Sequence, residues 1–420
     1  STQSRSSAAS DVYKGQMIIE PAKRTQCVRE YYFSRKLKEI DKLNNSRVAE
    51  GKDKIINLGI GAPDGMPPAQ AIAALQEAAA QPGNHAYQSY VGLPALRQAF
   101  ADWYERYYKV TLNPDGEIQP LFGSKEGILL ISMAFINEGD KVLVPDPGYP
   151  TYTSASNLVG ADIVTYDLTE ENGWQPDFEA LEKMDLSGVK IMWTNYPHMP
   201  TGAKATAELY QKIVDFGNNH NIVIVNDNPY SFILNDKPLS IFAAKRAMDC
   251  CLELNSLSKA HNMSGWRIGM VGGSKEIIAE VLKVKSQMDS GMFKPMQMAA
   301  VKALEQGPEW FSRLNAGYSV RREAAGRIFD LIGARYDHAS AGLFLWGKVD
   351  GDNVLLKGRT CRDEDASLGE RVSDVILHEA GVFITPGFIF GKNGRDYVRI
   401  SLCATPEVLA DAEAKIREIL

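Results

Sequence analysis

Lys259 follows a serine-rich run, Asn255, Ser256, Leu257 and Ser258, and Arg267 comes eight residues later between Gly265-Trp266 and Ile268-Gly269. An amine and a fixed cation at this spacing suit a Schiff base to an aldehyde cofactor whose phosphate is held nearby. The competing assignment is a solvated structural lysine, the usual place of that residue type. Gly123, Ser124, Lys125, Glu126 and Gly127 precede an apolar helical pattern. Backbone N–H groups at such a helix start form a phosphate site, unless Ser124 serves only as the N-cap. Tyr149 stands in a proline-rich loop after the apolar run 141–144. Its ring could lie against a flat heteroaromatic group or pack on its own loop. Asp227, Asn228, Pro229 and Tyr230 close another apolar run, 222–226. A buried acid needs a partner, and a protonated ring nitrogen is one; capping the next turn is the other reading. Arg399 sits inside the apolar strand pattern Tyr397 to Ser401. A bidentate grip on a carboxylate, at ~1.5–3 kcal/mol per charge-assisted bond, would offset its burial, as would an ion pair within its own domain. Tyr87 and Tyr90, before the Gly92–Pro94 turn, read from the residues alone as half-buried packing groups.

The elements that would position these residues alternate. Candidate strands are Lys141–Val144, Val189–Thr194, Ile222–Asn226, Cys251–Leu254 and Ile268–Val271, apolar and β-branched as buried parallel strands should be. Helical patterns lie between or beside them at 127–137, 151–158, 205–219 and 275–288. This predicts an α/β fold with a doubly wound, mainly parallel sheet, and ligands at the C-terminal ends of its strands. Upstream, helical patterns cover Val28 to Leu43 and Ala69 to Gln81, and Ile55 to Gly61 reads as a short strand entering a turn. Pro63, Pro67 and Pro68 stand where a dinucleotide-binding loop needs a helix start, so Gly59 and Gly61 are a plain turn on this reading. After about residue 310 the texture changes: a helix (Trp310–Ile332), a strand (Gly342–Gly347), a helix (Leu368–Ala380), short strands at 382–385 and 397–402, and a terminal helix. The expected organisation is a flexible arm (1–20), a small α+β domain (21–58 with 307–420) and a large domain (59–306).

Composition narrows the function classes. The chain has 420 residues, 45% hydrophobic and 23% charged, with net charge −6. That balance gives no sign of nucleic-acid binding. No run reaches the ~18 apolar residues of a membrane span, and Ser1 to Ser10 lacks the apolar segment of a secretory signal. Cys27, Cys250, Cys251, Cys361 and Cys403 show no CxxC spacing. They imply a reducing compartment, hence a cytoplasmic protein. The six histidines are scattered, and His378-Glu379 lacks the second histidine of a zinc site, so no metal is expected.

Taken together, Ser-x-Ser-Lys259, Gly265-Trp266-Arg267-Ile268-Gly269, Asp227-Asn228-Pro229-Tyr230, Pro200-Thr201-Gly202 and Tyr397-Val398-Arg399-Ile400-Ser401 resemble the fold-type I, pyridoxal 5'-phosphate-dependent aminotransferases of the aspartate aminotransferase family. The likeness covers roughly residues 30–420. It implies that Lys259 holds the cofactor's aldehyde carbon and then moves the proton at the substrate's Cα. By the same resemblance Asp227 would keep the ring nitrogen protonated, Tyr230 would bond the ring oxygen and Tyr149 would stack on the ring. Ser124, Lys125, Ser256, Ser258 and Arg267 would hold the phosphate. Arg399 would take the substrate carboxylate, with Gly61 close to the same group. Tyr87 would reach the phosphate of a neighbouring subunit, with Tyr90 as its rival, implying a homodimer with shared sites. The small-molecule substrates would be an α-amino acid and a 2-oxo acid, reacting in ping-pong order. Ser286 to Phe293 is similar to the subgroup containing alanine and LL-diaminopimelate aminotransferases.

One position departs from the family. Met199 precedes Pro200-Thr201-Gly202 where an asparagine is usual, and methionine cannot donate to the ring oxygen. Asn195 is four residues too early for a simple replacement. Tyr230 alone, His198 or a water is expected to fill the role. Two other functions fit the same residues: a lyase acting on a β-substituted amino acid, such as a C–S lyase, and a non-catalytic regulator. The second would carry an N-terminal DNA-binding domain, whereas only about 50 residues precede the first core strand and they are not strongly basic.

Overall fold

The computed structural model describes residues 19–26, 30, 32–359 and 365–420. Residues 1–18 of the expected arm, Cys27, the start of the helix expected from Val28, and Cys361 lie outside the described residues.

After β1 (Ile56–Asn57), seven strands form one sheet: β2 (Ile118–Leu121), β3 (Lys141–Asp146), β4 (Asp162–Asp167), β5 (Val189–Thr194), β6 (Val223–Asp227), β7 (Cys251–Ser256) and β8 (Gly269–Gly273). Their order is β2-β8-β7-β6-β5-β3-β4. The pairs from β7 to β4 are parallel, while β8 runs antiparallel to both neighbours. The five expected strands are all present. The two that composition did not mark, β2 and β4, are the sheet edges. Pro120 in β2 is tolerated at an edge, where no ladder hydrogen bond is lost. In β4 only Tyr166 is fully buried, so the strand shows no apolar run.

Side chains alternate across the central strands, as the two-residue period demands. Val142, Val144, Ile191 and Trp193 join one core with residues of helices Ser124–Phe135, Pro150–Leu158 and Lys275–Lys285. Leu143, Met192 and Ile224 face the other, with residues of helices Pro94–Tyr108, Ala207–His220 and Lys294–Leu304. Local signals set the ends that matter. Thr206 caps helix Ala207–His220 by accepting from Leu209 N, and Asn221 ends it with φ 55°. The chain then turns directly into β6 and delivers Asp227 at that strand's last position.

A second sheet, order β12-β13-β10-β9, is antiparallel: β9 (Arg335–Tyr336), β10 (Phe344–Lys348), β12 (Thr385–Pro386) and β13 (Tyr397–Ser401). Helix Pro308–Leu331 buries Ala324, Ala325, Ile328 and Phe329 in a core with Leu345, Val398 and Ile400. β11 (Val382–Phe383) pairs in parallel with β1, which ties the segment before Gly59 to the end of the chain. The early helix is described from Tyr32 and runs to Ala49, past Leu43 where the charge pattern ended. The helix at 368 remains α-helical to Val375 and closes in a π turn, Ile376–Ala380. Asp146, at the end of β3, accepts from the backbone N–H groups of Lys392 (3.1 Å) and Asn393 (3.0 Å), tying that strand end to the turn before β13. Among the described residues no helix is long and apolar enough to cross a membrane.

Candidate active site

A cavity of about 410 Å³ opens at the C-terminal ends of β3, β5, β6 and β7, where a parallel sheet binds its ligands. Gly61, Ser124, Lys125, Tyr149, Asp227, Tyr230, Ser256, Ser258, Lys259, Arg267 and Arg399 all line it. Tyr87, 91% exposed, and Tyr90, 44% exposed, do not line the cavity of their own chain.

Lys259 lies in a single helical turn, Leu257–Ala260, that starts where β7 ends. Ser256 caps this turn: its Oγ accepts from Ser258 N (3.1 Å) and donates to Ser258 Oγ (2.7 Å). The lysine Nζ donates to the Gly61 carbonyl at 2.6 Å. Burial pushes its pKa below the usual lysine value; Arg267 and Arg399 act in the same direction, and Cys403 and Asp227 oppose them. Two cations beside a buried amine favour its neutral, nucleophilic form.

Arg267 takes a left-handed backbone conformation, φ 55°. Its Nη1 donates to Ser258 Oγ (3.3 Å) and to Ser264 O (2.8 Å). The guanidinium packs against Gly123, where an added Cβ would fall 2.3 Å from Nη2, and where φ is +85°. Glycine is therefore required just before helix Ser124–Phe135, and Arg267 is held beside that helix's N-terminus. Ser124 Oγ is buried there without a hydrogen-bond partner. Arginine, two serine hydroxyls and a helix N-terminus make a complete anion cradle.

Asp227 is buried at the end of β6. Its Oδ2 accepts from Tyr152 OH at 2.9 Å, while Oδ1 has no hydrogen-bond partner. Loss of solvation pushes its pKa up to about 7; Glu253 adds to the rise, and the Tyr152 hydroxyl and Lys259 oppose it. A carboxylate in this state lacks a cationic hydrogen-bond donor. Tyr152 itself lies flat on Trp193, centroids 5.1 Å apart and planes 4° apart. Sequence reading passed over Tyr152. The available signal was its position three residues after Tyr149, one helical turn on in the same helix start. Tyr149 meets it edge-on at 5.5 Å. Burial pushes the pKa of Tyr230 upward, so its hydroxyl remains a donor at neutral pH.

The structure corrects the reading around Met199. His198 does not reach the cavity: its Nδ1 pairs with Thr201 Oγ1 at 2.8 Å, and burial pushes its pKa down to about 3. Asn195, set aside on spacing, does line the cavity. Its side chain is committed to the backbone, with Nδ2 donating to Asp227 O (2.6 Å) and Oδ1 accepting from Met199 N (2.7 Å). The backbone loops back over those four residues, which linear spacing does not show. Met199 lines the cavity too, with its Sδ 3.4 Å from Arg399 Nη1.

Arg399 donates from Nη2 to Gly59 O at 2.8 Å. Its guanidinium lies 3.9 Å from the Phe344 ring centre and 4.7 Å from that of Phe390. The two rings and the thioether hold the fork in place.

The sequence profile of the family "Aminotransferase class I and II" matches residues 53–416. An LL-diaminopimelate aminotransferase of Aquifex aeolicus is 37% identical over 404 residues, covering 96% of this chain and 100% of the relative. Another, from Oleidesulfovibrio alaskensis, is 39% identical over 384 residues, covering 91% and 95%. Among solved structures, substrate-bound BacF from Bacillus subtilis superposes with TM-score 0.86 at 33% identity, covering 96% of this chain and 98% of that one. An aminotransferase from Staphylococcus aureus gives TM-score 0.82 at 28% identity, covering 95% and 98%. A lysine, an aspartate and an anion cradle around one cavity, in a chain matched across most of its length, lead to one conclusion: the protein belongs to the class I and II aminotransferase family and is an aminotransferase.

Proposed function

We propose that the chain binds pyridoxal 5'-phosphate in this cavity and moves an amino group between an α-amino acid and a 2-oxo acid in two half-reactions. The observation that carries the reading is the buried Asp227, with Oδ1 unpartnered, lining the same cavity as the depressed amine of Lys259. When bound, the cofactor's ring supplies a sink for electrons released at the substrate's Cα. Asp227 would accept the ring N–H, and that cation would draw its pKa back down. Lys259 would hold the cofactor's aldehyde carbon and carry the proton at Cα, for which a lowered pKa suits a general base. Tyr230 would donate to the ring oxygen, and Tyr149 would lie against the ring. Ser124, Lys125, Ser256, Ser258 and Arg267 would take the phosphate. Tyr87, exposed on its own chain, would serve the phosphate of a partner in a homodimer. The large domain would span 59–306, with cores on both faces of its sheet, and the small one 21–58 with 307–420, whose core around Leu345, Val398 and Ile400 also takes in Met199, Ile233 and Leu234.

The purified holoenzyme should exchange its cofactor absorbance band on mixing with the correct amino acid and recover it on adding a 2-oxo acid. No change with any member of a broad amino-acid panel would refute the proposal. Pyruvate and ammonia from a β-substituted amino acid, without an added oxo acid, would instead indicate a lyase. LL-diaminopimelate, for which the relatives are named, is the first donor to test. A second reading rests on Phe33, Leu37, Ile60, Phe344 and Phe390, which line the cavity with apolar surface and favour a donor with an apolar side chain. The donor with the highest kcat/KM decides between them.

Arg399 and Gly61 would hold the substrate carboxylate. Arg399→Lys removes the planar fork, and KM for the amino donor is expected to rise roughly 10- to 100-fold, as the loss of one charge-assisted bond implies. An unchanged KM would move the carboxylate elsewhere. Met199→Asn introduces a donor where Tyr230 would otherwise act alone. The pH at which the bound cofactor's absorbance titrates is expected to fall by about one unit, as a hydrogen bond to the charged oxygen would cause. No movement in a spectroscopic pH titration would show that Tyr230 suffices.

A further inference from the structure

We propose that Lys285 is a positioning residue for the phosphate-binding turn, acting through Glu126; the inference rests on the reading of that turn as a phosphate site. Lys285 is the last residue of helix Lys275–Lys285, with a side chain 0% exposed. A fully buried lysine is rare and requires charged partners. Its Nζ donates to Glu126 Oε1 at 3.0 Å and to Asp289 Oδ2 at 2.5 Å, and stands 4.7 Å from the Phe122 ring centre. The two carboxylates are themselves nearly covered, at 8% and 13%.

Each carboxylate has a second task. Glu126 Oε2 accepts the Phe122 N–H at 2.6 Å and so clamps the turn 122–126, which holds Gly123, Ser124 and Lys125. Asp289 Oδ1 accepts the Gly291 N–H at 2.8 Å. Gly291, at φ +89°, lies where an added Cβ would be 2.3 Å from Gln88 O. One ammonium thus joins the phosphate turn to the loop 286–293 and, through it, to the strip that carries Tyr87 and Tyr90. The loop that carried the subgroup likeness in the sequence has a physical task here.

The sign of the charges explains why the cation is needed. Glu126 sits in the first turn of helix Ser124–Phe135, where its charge favours the helix but repels a phosphate at the same N-terminus. In a buried setting that repulsion is poorly screened. The Lys285 ammonium cancels it and fixes the carboxylate on Phe122 N–H, away from the anion cradle.

The test compares two ligands that differ only in the phosphate. Cofactor-free full-length protein is titrated with pyridoxal 5'-phosphate and with pyridoxal, followed by tryptophan fluorescence. Lys285→Met is expected to weaken pyridoxal 5'-phosphate binding at least 10-fold while pyridoxal changes by less than twofold. The double variant Lys285→Met with Glu126→Gln should recover most of the loss, because the carboxylate in the first turn of the phosphate helix is gone and the one left unpaired, Asp289, belongs to the loop 286–293. If Lys285→Met does not fold, Lys285→Gln, which keeps a donor and removes the charge, should show the same selective loss. Equal weakening of both ligands, or no weakening of either, would overturn the role. A parent protein that binds the phosphorylated and unphosphorylated forms equally would instead overturn the phosphate site itself.

Discussion

Lys259→Ala is expected to lower the turnover of amino transfer by roughly 10³- to 10⁴-fold, the scale set by loss of a positioned proton carrier together with a covalent anchor. The side chain is buried, donates to Gly61 O at 2.6 Å, and lies under the influence of Arg267 and Arg399. No neighbouring amine replaces it: the other lysine lining the cavity, Lys125, is on the helix start and exposed. Steady-state kcat with the preferred donor measures the loss. A second readout separates chemistry from folding. Borohydride reduction of the loaded parent should leave the cofactor's mass on the peptide containing Lys259, and that peptide should be unmodified in the variant. Retention of turnover within tenfold would exclude Lys259 as the acting base.

Asp227→Ala should lower turnover by about 10²- to 10³-fold, comparable to removing one preorganised electrostatic contact from a reacting centre. The same residue makes a stability prediction for the cofactor-free protein. Its folded pKa of about 7 lies above the ordinary value of 3.8, chiefly because burial disfavours the charge. Between those values the folded state holds a proton that the unfolded state has released. The stabilisation is thus full below about pH 3.8, declines as pH rises, and is gone above about 7. The slope is ~1.4 kcal/mol per pH unit at most. Denaturant melts of the cofactor-free parent at pH 5 to 7.5 should therefore lose stability relative to Asp227→Asn, which has no proton to lose. Adding the cofactor should flatten the difference, because a ring N–H pairs with the carboxylate and lowers its pKa. Parallel curves for parent and variant would mean that Asp227 is ionised in the empty site and needs no cation.

The residues that line the cavity were legible because they reside in short runs. Ser256, Ser258 and Lys259 share one turn, and Asp227 and Tyr230 share one strand end, so linear spacing states their proximity. Buried strands also announced themselves, since both faces of a central parallel strand must be apolar. Edge strands β2 and β4 did not: β4 is largely uncovered and mixes polar with apolar residues, and β2, although buried, is only four residues long and carries Gln119 and Pro120. Around Met199 linear spacing misled. Asn195 came to the cavity through a loop that folds back on itself, and His198 turned into the core. Tyr152 was invisible as a functional residue because a buried tyrosine at helix spacing reads as packing until a carboxylate is placed 2.9 Å from its hydroxyl.

By itself the sequence determined the alternating α/β architecture and marked out the candidate residues: the lysine with the serines and arginine near it, the acid and the second arginine. These depend on local pattern and residue type, which the chain carries wherever it folds. The tertiary structure decided what each group touches. It joined Arg399 to Gly59 across 340 positions and Lys285 to Glu126 across 159, and it left Asp227 Oδ1 without a partner in a buried setting. Pairing over such distances is set by sheet order and helix packing. Burial, which moves the pKa values of Lys259 and Asp227, exists only once those layers have closed.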